Sequence, residues 1–145
     1  MIRGILGLLL FNLVLWPSIL SAADDDIVVA VARNITVDKL SRQQVADIFL
    51  DTHAFNELQL TPFDREEFAL KGRFYREVTE MSLNRLRAYW SKRVFTGRGR
   101  PPKVMKVNDL ANNQGLNNEV ITYLYRRSLP DNMKIVFELP AREAK

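Results

Sequence analysis

The stretch Lys71–Pro102, KGRFYREVTEMSLNRLRAYWSKRVFTGRGRPP, constrains the fold of this chain more than any other. Apolar residues recur at helical spacing on both sides of a break at Thr79–Met81. The first face carries Phe68, Phe74, Tyr75, Val78 and Met81. The second carries Leu83, Leu86, Trp90 and Val94, with Arg85 and Lys92 opposite. Two amphipathic helices packed on a shared core account for these aromatics better than a ligand-stacking box does. Gly97 and Gly99 end the second helix, because glycine takes a left-handed cap cheaply, and Pro101-Pro102 prevents its resumption.

The flanking elements carry local signals of their own. Ile27–Arg33 is a short β-branched run and predicts a buried strand. Ser41 and Gln44 stand at capping-box spacing, with Leu40 and Val45 as a hydrophobic staple, and predict a helix to about Leu50 that buries Val45, Ile48 and Phe49. The same grammar at Phe63–Phe68 offers Asp64 as cap and Glu67 reaching back; Ser82 offers a third start. Leu58–Thr61, Lys103–Val107, Val120–Leu124 and Met133–Leu139 read as strands. Asn108–Gly115 reads as a short helix, Arg126–Asn132 as a turn region and Pro140–Lys145 as a frayed tail. Strands interleaved with helices give an α/β layer structure: a mixed sheet of about four to five strands flanked by about four helices.

The N-terminus stands apart from this pattern. Met1-Ile2-Arg3 is a short positive start, Gly4–Trp16 is apolar except for Asn12, and Ser21-Ala22-Ala23 precedes Asp24-Asp25-Asp26. This is the layout of a signal peptide over 1–23, with one domain over 24–145; an uncleaved membrane anchor is the alternative. The apolar run falls short of the roughly twenty residues of a spanning helix. Cleavage removes one basic residue, Arg3, of 21, against 17 acidic. A periplasmic or secreted chain without cysteine holds itself together by its core, without disulfides or thiolate metal sites.

Few catalytic chemistries remain open. His53 is the single histidine and there is no cysteine, so Ser-His-Asp, Cys-His and histidine-rich zinc sites are excluded or reduced to one ligand. Asp24–Asp26 reads as a soluble mature terminus, and no phosphate-binding glycine loop has the required spacing. No catalytic residue, metal or cofactor is expected. The feature above background is a run from Met81 to Asn108 without an acidic residue. It includes Arg85, Arg87, Lys92, Arg93, Arg98, Arg100, Lys103 and Lys106. Such a cluster attracts anions or an acidic partner; an exported protein seldom meets nucleic acid, which is not expected here.

Leu40–Leu50 (LSRQQVADIFL) and Gly72–Met105 (GRFYREVTEMSLNRLRAYWSKRVFTGRGRPPKVM) together resemble the small substrate-binding-protein-like domains of phosphate ABC transporters, in the type 2 periplasmic-binding-protein superfamily. The resemblance covers roughly Ile27 to Leu139 and implies a single periplasmic-binding-protein-like lobe. It also implies a link to phosphate or small-anion transport, with Arg65, Lys71 and Arg73 near the ligand end of the second helix. Full-length phosphate-binding proteins of this type open that helix with a Ser-Gly-Thr turn. Here Phe68-Ala69-Leu70 stands in its place, after the acids Asp64, Glu66 and Glu67. Two readings follow: a non-enzymatic solute-binding-like protein for phosphate or another small anion, or a ligand-free module. The module would dock on a transporter, sensor or envelope partner through a basic face centred on Arg98 and Arg100.

Overall fold

Two uninterrupted apolar runs become the middle of a sheet. The computed structural model describes residues 26–52, 58–112 and 119–140. Strand β1 (Ile27–Ala32) is buried almost throughout, and so is β4 (Val120–Tyr125). Continuous hydrophobicity of this kind belongs to strands covered on both faces. Strands β2 (Thr61–Arg65), β3 (Lys103–Met105) and β5 (Met133–Glu138) complete a five-stranded mixed sheet in the order β3-β2-β4-β1-β5. β1 runs antiparallel to β4 and β5, whereas β2 runs parallel to β4 and β3.

Helices α1 (Arg42–Phe49), α2 (Phe68–Thr79) and α3 (Leu83–Phe95) follow β1 and β2, and α4 (Val107–Asn112) follows β3. Strand alternation sorts the core into two layers. Ile27, Val29, Val31, Ile121 and Tyr123 pack with the apolar faces of α1, α2 and α3. Val28, Ala30, Val120 and Leu124 pack with Met105 and Leu110, so α4 covers the opposite face. The expected mixed α/β architecture is therefore present, with five strands and four α-helices among the described residues. Among the described residues no helix is long and apolar enough to cross a membrane. The 1–23 segment, His53 and Asn113–Gly115 lie outside the described residues, as does the tail beyond Pro140.

Local signals place two helix starts as expected. The Ser41 side chain accepts from the Gln44 N–H, and the Gln44 side chain accepts from the Ser41 N–H, which closes both arms of the capping box. Ser82 caps α3 by accepting from the Arg85 N–H. The third start differs. Asp64 caps nothing: it lies in β2, and α2 begins at Phe68 with Glu67 at the N-cap position and no side-chain cap bond. The expected strand at Leu58–Thr61 shifts accordingly to Thr61–Arg65, and the one at Lys103–Val107 ends at Met105 as α4 takes over. Register with β4 and β3, both distant in sequence, overrides the local capping pattern.

The exit loop after α3 is clamped by a member of the basic run. Arg93 Nη2 donates to the carbonyls of Asp51 at 2.7 Å and Arg98 at 2.8 Å, and its guanidinium lies beside the Tyr89 and Trp90 rings. Gly99, at φ +154°, passes so close that a Cβ would sit 2.6 Å from Asp51 Oδ2. Arg93 is thus a structural group and no part of a free basic face.

An aromatic group joins the helices to the sheet. Phe74 stacks on Tyr123 at 3.8 Å with an interplanar angle of 7°, and Phe49 and Tyr75 meet the pair edge-on or tilted. Phe74 is fully buried among them. Phe74→Ala is expected to lower unfolding free energy by about 3–5 kcal/mol in urea titration, the cost of a large ring removed from a core that cannot collapse around the gap.

Candidate functional site

The two residues that close β2, Asp64 and Arg65, are charged and almost fully covered, at 2% and 1% exposure. A buried charge is tolerated when it is paired and hydrogen-bonded. Asp64 meets both conditions. Lys71 Nζ, from the second turn of α2, lies 2.5 Å from Oδ2, and the Tyr123 hydroxyl of β4 donates to Oδ1. That hydroxyl also accepts from the Arg65 backbone N–H at 3.3 Å, so the phenol donates once and accepts once. Burial, with the Asp64 charge second, raises the Tyr123 pKa far above its ordinary value of 10.0. Tyr75 is raised too, by burial first and by the Asp64 charge second.

Arg65 is treated differently. Among the described residues, neither Nε nor Nη1 has a hydrogen-bond partner. The nearest carboxylate oxygen, Glu67 Oε2, is 3.6 Å from Nε, an ion-pair separation beyond hydrogen-bond reach, on a side chain 48% exposed. The guanidinium is therefore a buried cation with spare donors.

Arg65 helps to line an open groove of about 1140 Å³ at the carboxyl end of β2, the end at which open α/β sheets hold ligands. Lys71, Glu66 and Arg87 are its other charged residues. Most of its wall is apolar: Phe68 from the first turn of α2, Leu86, Trp90, Val94 and Phe95 along α3, and Val104 of β3. The uncapped N-terminus of α2 adds the positive end of a helix dipole beside Arg65.

The residues expected at a ligand end divide. Arg65 and Lys71 share the groove, although Arg65 ends a strand instead of opening a helix and Lys71 is engaged by Asp64. Arg73 sits half-buried on α2 and outside the groove lining. Arg98 and Arg100 are exposed in the exit loop. Arg100 faces a separate hollow of about 310 Å³ that also includes Asp47, Asp51 and Pro62. Three features escape the sequence pattern. Phe68, placed there on the buried face, is 75% exposed in the groove, and Val94 is 52% exposed. Tyr123 takes part as the donor to Asp64; a phenol inside an otherwise apolar strand signals the need for a partner.

Removing that donor leaves the buried carboxylate underbonded, so Tyr123→Phe is expected to cost about 1–3 kcal/mol at neutral pH. Both raised phenols hold their protons more tightly when folded. Their stabilisation is fully present below pH 10 and is lost as pH rises from there toward the folded-state values. Urea titrations at a series of alkaline pH values are expected to show stability falling above pH 10, less steeply in Tyr123→Phe.

No protein-family model and no curated protein matches the chain. Among solved structures, it is similar to an ABC-type phosphate transport receptor from Vibrio cholerae, at 16% sequence identity and a TM-score of 0.47. The similarity covers 77% of this chain and 45% of the receptor, so the chain spans less than half of that protein's length.

Proposed function

We propose that the chain is a non-enzymatic solute-binding domain that holds a negatively charged ligand at Arg65 in the service of small-anion transport. It would be exported to the periplasm after cleavage near Ala23, with a transporter or a sensor as its membrane partner. The observation that carries the reading is Arg65 itself: a covered cation with unpaired N–H groups beside a groove. A ligand oxyanion supplies the acceptors it lacks, in a setting where charge-assisted hydrogen bonds are strong. The uncapped α2 terminus favours the same charge. Lys71 plays a positioning part, since its charge is balanced by Asp64, and Arg73 has no part in this groove. The resemblance of Leu40–Leu50 and Gly72–Met105 to phosphate-transport domains supports the transport context. Asp64, Glu66 and Glu67 stand against the dense negative charge of phosphate.

A ligand that binds only the folded chain stabilises it, by about 1.4 kcal/mol at ten times its Kd. Phosphate, sulfate and carboxylates, tested by thermal shift, are expected to include at least one that raises the melting temperature of the wild type. Arg65→Gln abolishes that rise and Arg73→Gln keeps it. Silence from every anion at millimolar concentration removes the reading.

A specific observation favours a second reading, docking on an envelope partner. Phe95 is 93% exposed at the end of α3, and the exposed Arg98 and Arg100 follow it. An acidic, partly apolar protein face matches that surface. The double variant Arg98→Glu, Arg100→Glu is expected to lose capture of a membrane partner in pull-downs while keeping its melting temperature. Unchanged capture overturns it.

A further inference from the structure

We infer that the groove takes an amphipathic monoanion, a single carboxylate carried on an apolar chain of medium length. The inference rests on the anion reading of Arg65 and specifies the ligand class of the same groove. Two observations beyond Arg65 lead to it, one for the head and one for the tail.

The first is charge balance at the head. Around Arg65 the positive groups are Arg65, Lys71 and Arg87, and the negative groups are Asp64, Glu66 and Glu67. Lys71 is taken up by Asp64 at 2.5 Å, and Glu67 stands 3.6 Å from Arg65 Nε. The three positive and three negative groups cancel, so net charge does not draw an anion in: the idle donors of Arg65 hold a single charge, and each further negative charge adds repulsion from Glu66 and Glu67. Two of the three Arg65 nitrogens, Nε and Nη1, are covered and have no hydrogen-bond partner among the described residues, and a carboxylate accepts from a guanidinium with good geometry. Glu67, at 3.6 Å, is too distant to satisfy those donors, and a ligand carboxylate supplies the acceptor that it does not.

The second observation is the wall. Phe68, Val94, Phe95 and Val104 are 75%, 52%, 93% and 55% exposed, and all four line the groove. Single exposed apolar residues are ordinary, but four along one concave surface with Leu86 and Trp90 behind them form an apolar track. Phosphate and sulfate leave that track uncovered. A hydrocarbon chain attached to the acid covers it, and each added methylene is expected to tighten binding about fourfold.

Isothermal titration of the full chain with butanoate, hexanoate and octanoate, beside 1-octanol, acetate and inorganic phosphate, tests the inference. Octanoate is expected to bind best, with affinity climbing about fourfold per methylene. Arg65→Gln weakens it at least tenfold, Val104→Asp weakens it while sparing acetate, and Glu67→Gln tightens it. Octanol binds at least tenfold more weakly than octanoate. Arg65-dependent binding of phosphate or acetate with no gain from chain length overturns the inference and leaves the anion site standing. Octanoate binding that Arg65→Gln does not change overturns it as adventitious apolar association. No Arg65-dependent binding of any anion, with the variants folded, removes both readings.

Discussion

A carboxylate buried at the end of β2 sets the terms for everything around it. Asp64 is 2% exposed and needs both a countercharge and hydrogen-bond donors. The countercharge comes from α2 through Lys71, and the donor comes from β4 through Tyr123. Satisfying one side chain therefore ties the first turns of α2 to the sheet and locks β2 beside β4. The same two strands are joined again where the Thr122 hydroxyl donates to the Phe63 carbonyl at 2.9 Å. Tyr123 completes the arrangement from its other side, because the ring that carries the donor lies flat on Phe74. Polar satisfaction and aromatic packing meet in one residue.

That solution leaves Arg65 over. Asp64, its neighbour in the strand, is engaged by Lys71, and Glu67 stays at ion-pair distance on a half-exposed side chain. A native fold usually satisfies buried polar groups, and the covered Arg65 guanidinium, with two idle nitrogens, is the largest departure from that rule among the described residues, beside single atoms such as Arg93 Nε and Asn132 Oδ1. Local inconsistency of this kind tends to mark function, since folding alone gives no reason to keep it. The apolar track of Phe68, Val94 and Val104 is a second departure, on the same groove. The basic run behaves otherwise: Arg93 works within the fold as a clamp on the exit loop, while Arg98 and Arg100 stand outside the groove.

Elements signalled by neighbours in sequence were legible. Ser41 with Gln44, Ser82 before α3, and Gly97 and Gly99 after it act over a few residues, so their outcome needs no tertiary information. Phe63–Phe68 shows the limit of such signals. Its spacing suits a capped helix equally well, but Phe63, Asp64 and Arg65 pair with Lys103, Val104 and Met105, while Thr61, Pro62 and Phe63 pair with Val120, Ile121 and Thr122. Those partners lie some forty to sixty residues away, and their ladder outweighs one capping interaction of roughly 1 kcal/mol. Arg65 and Lys71 could be singled out as cations near a helix start, yet which of them was spent could not. Phe68 belongs to the apolar face of α2 by spacing, but that face extends past the core into open space.

What the sequence determined by itself was the set of elements and their alternation: two doubly buried strands, helices with capped starts, and an aromatic helix pair closed by glycines. These follow from periodicity and from short-range backbone hydrogen bonding, both written in contiguous residues. Tertiary structure decided which charges are neutralised, which donors stay idle and which apolar side chains remain uncovered. Those depend on Asp64 of β2, Lys71 of α2 and Tyr123 of β4 arriving at one point, and on Val104 of β3 arriving beside α3. Charge pairing and burial are sums over neighbours in space, and only the folded chain supplies them.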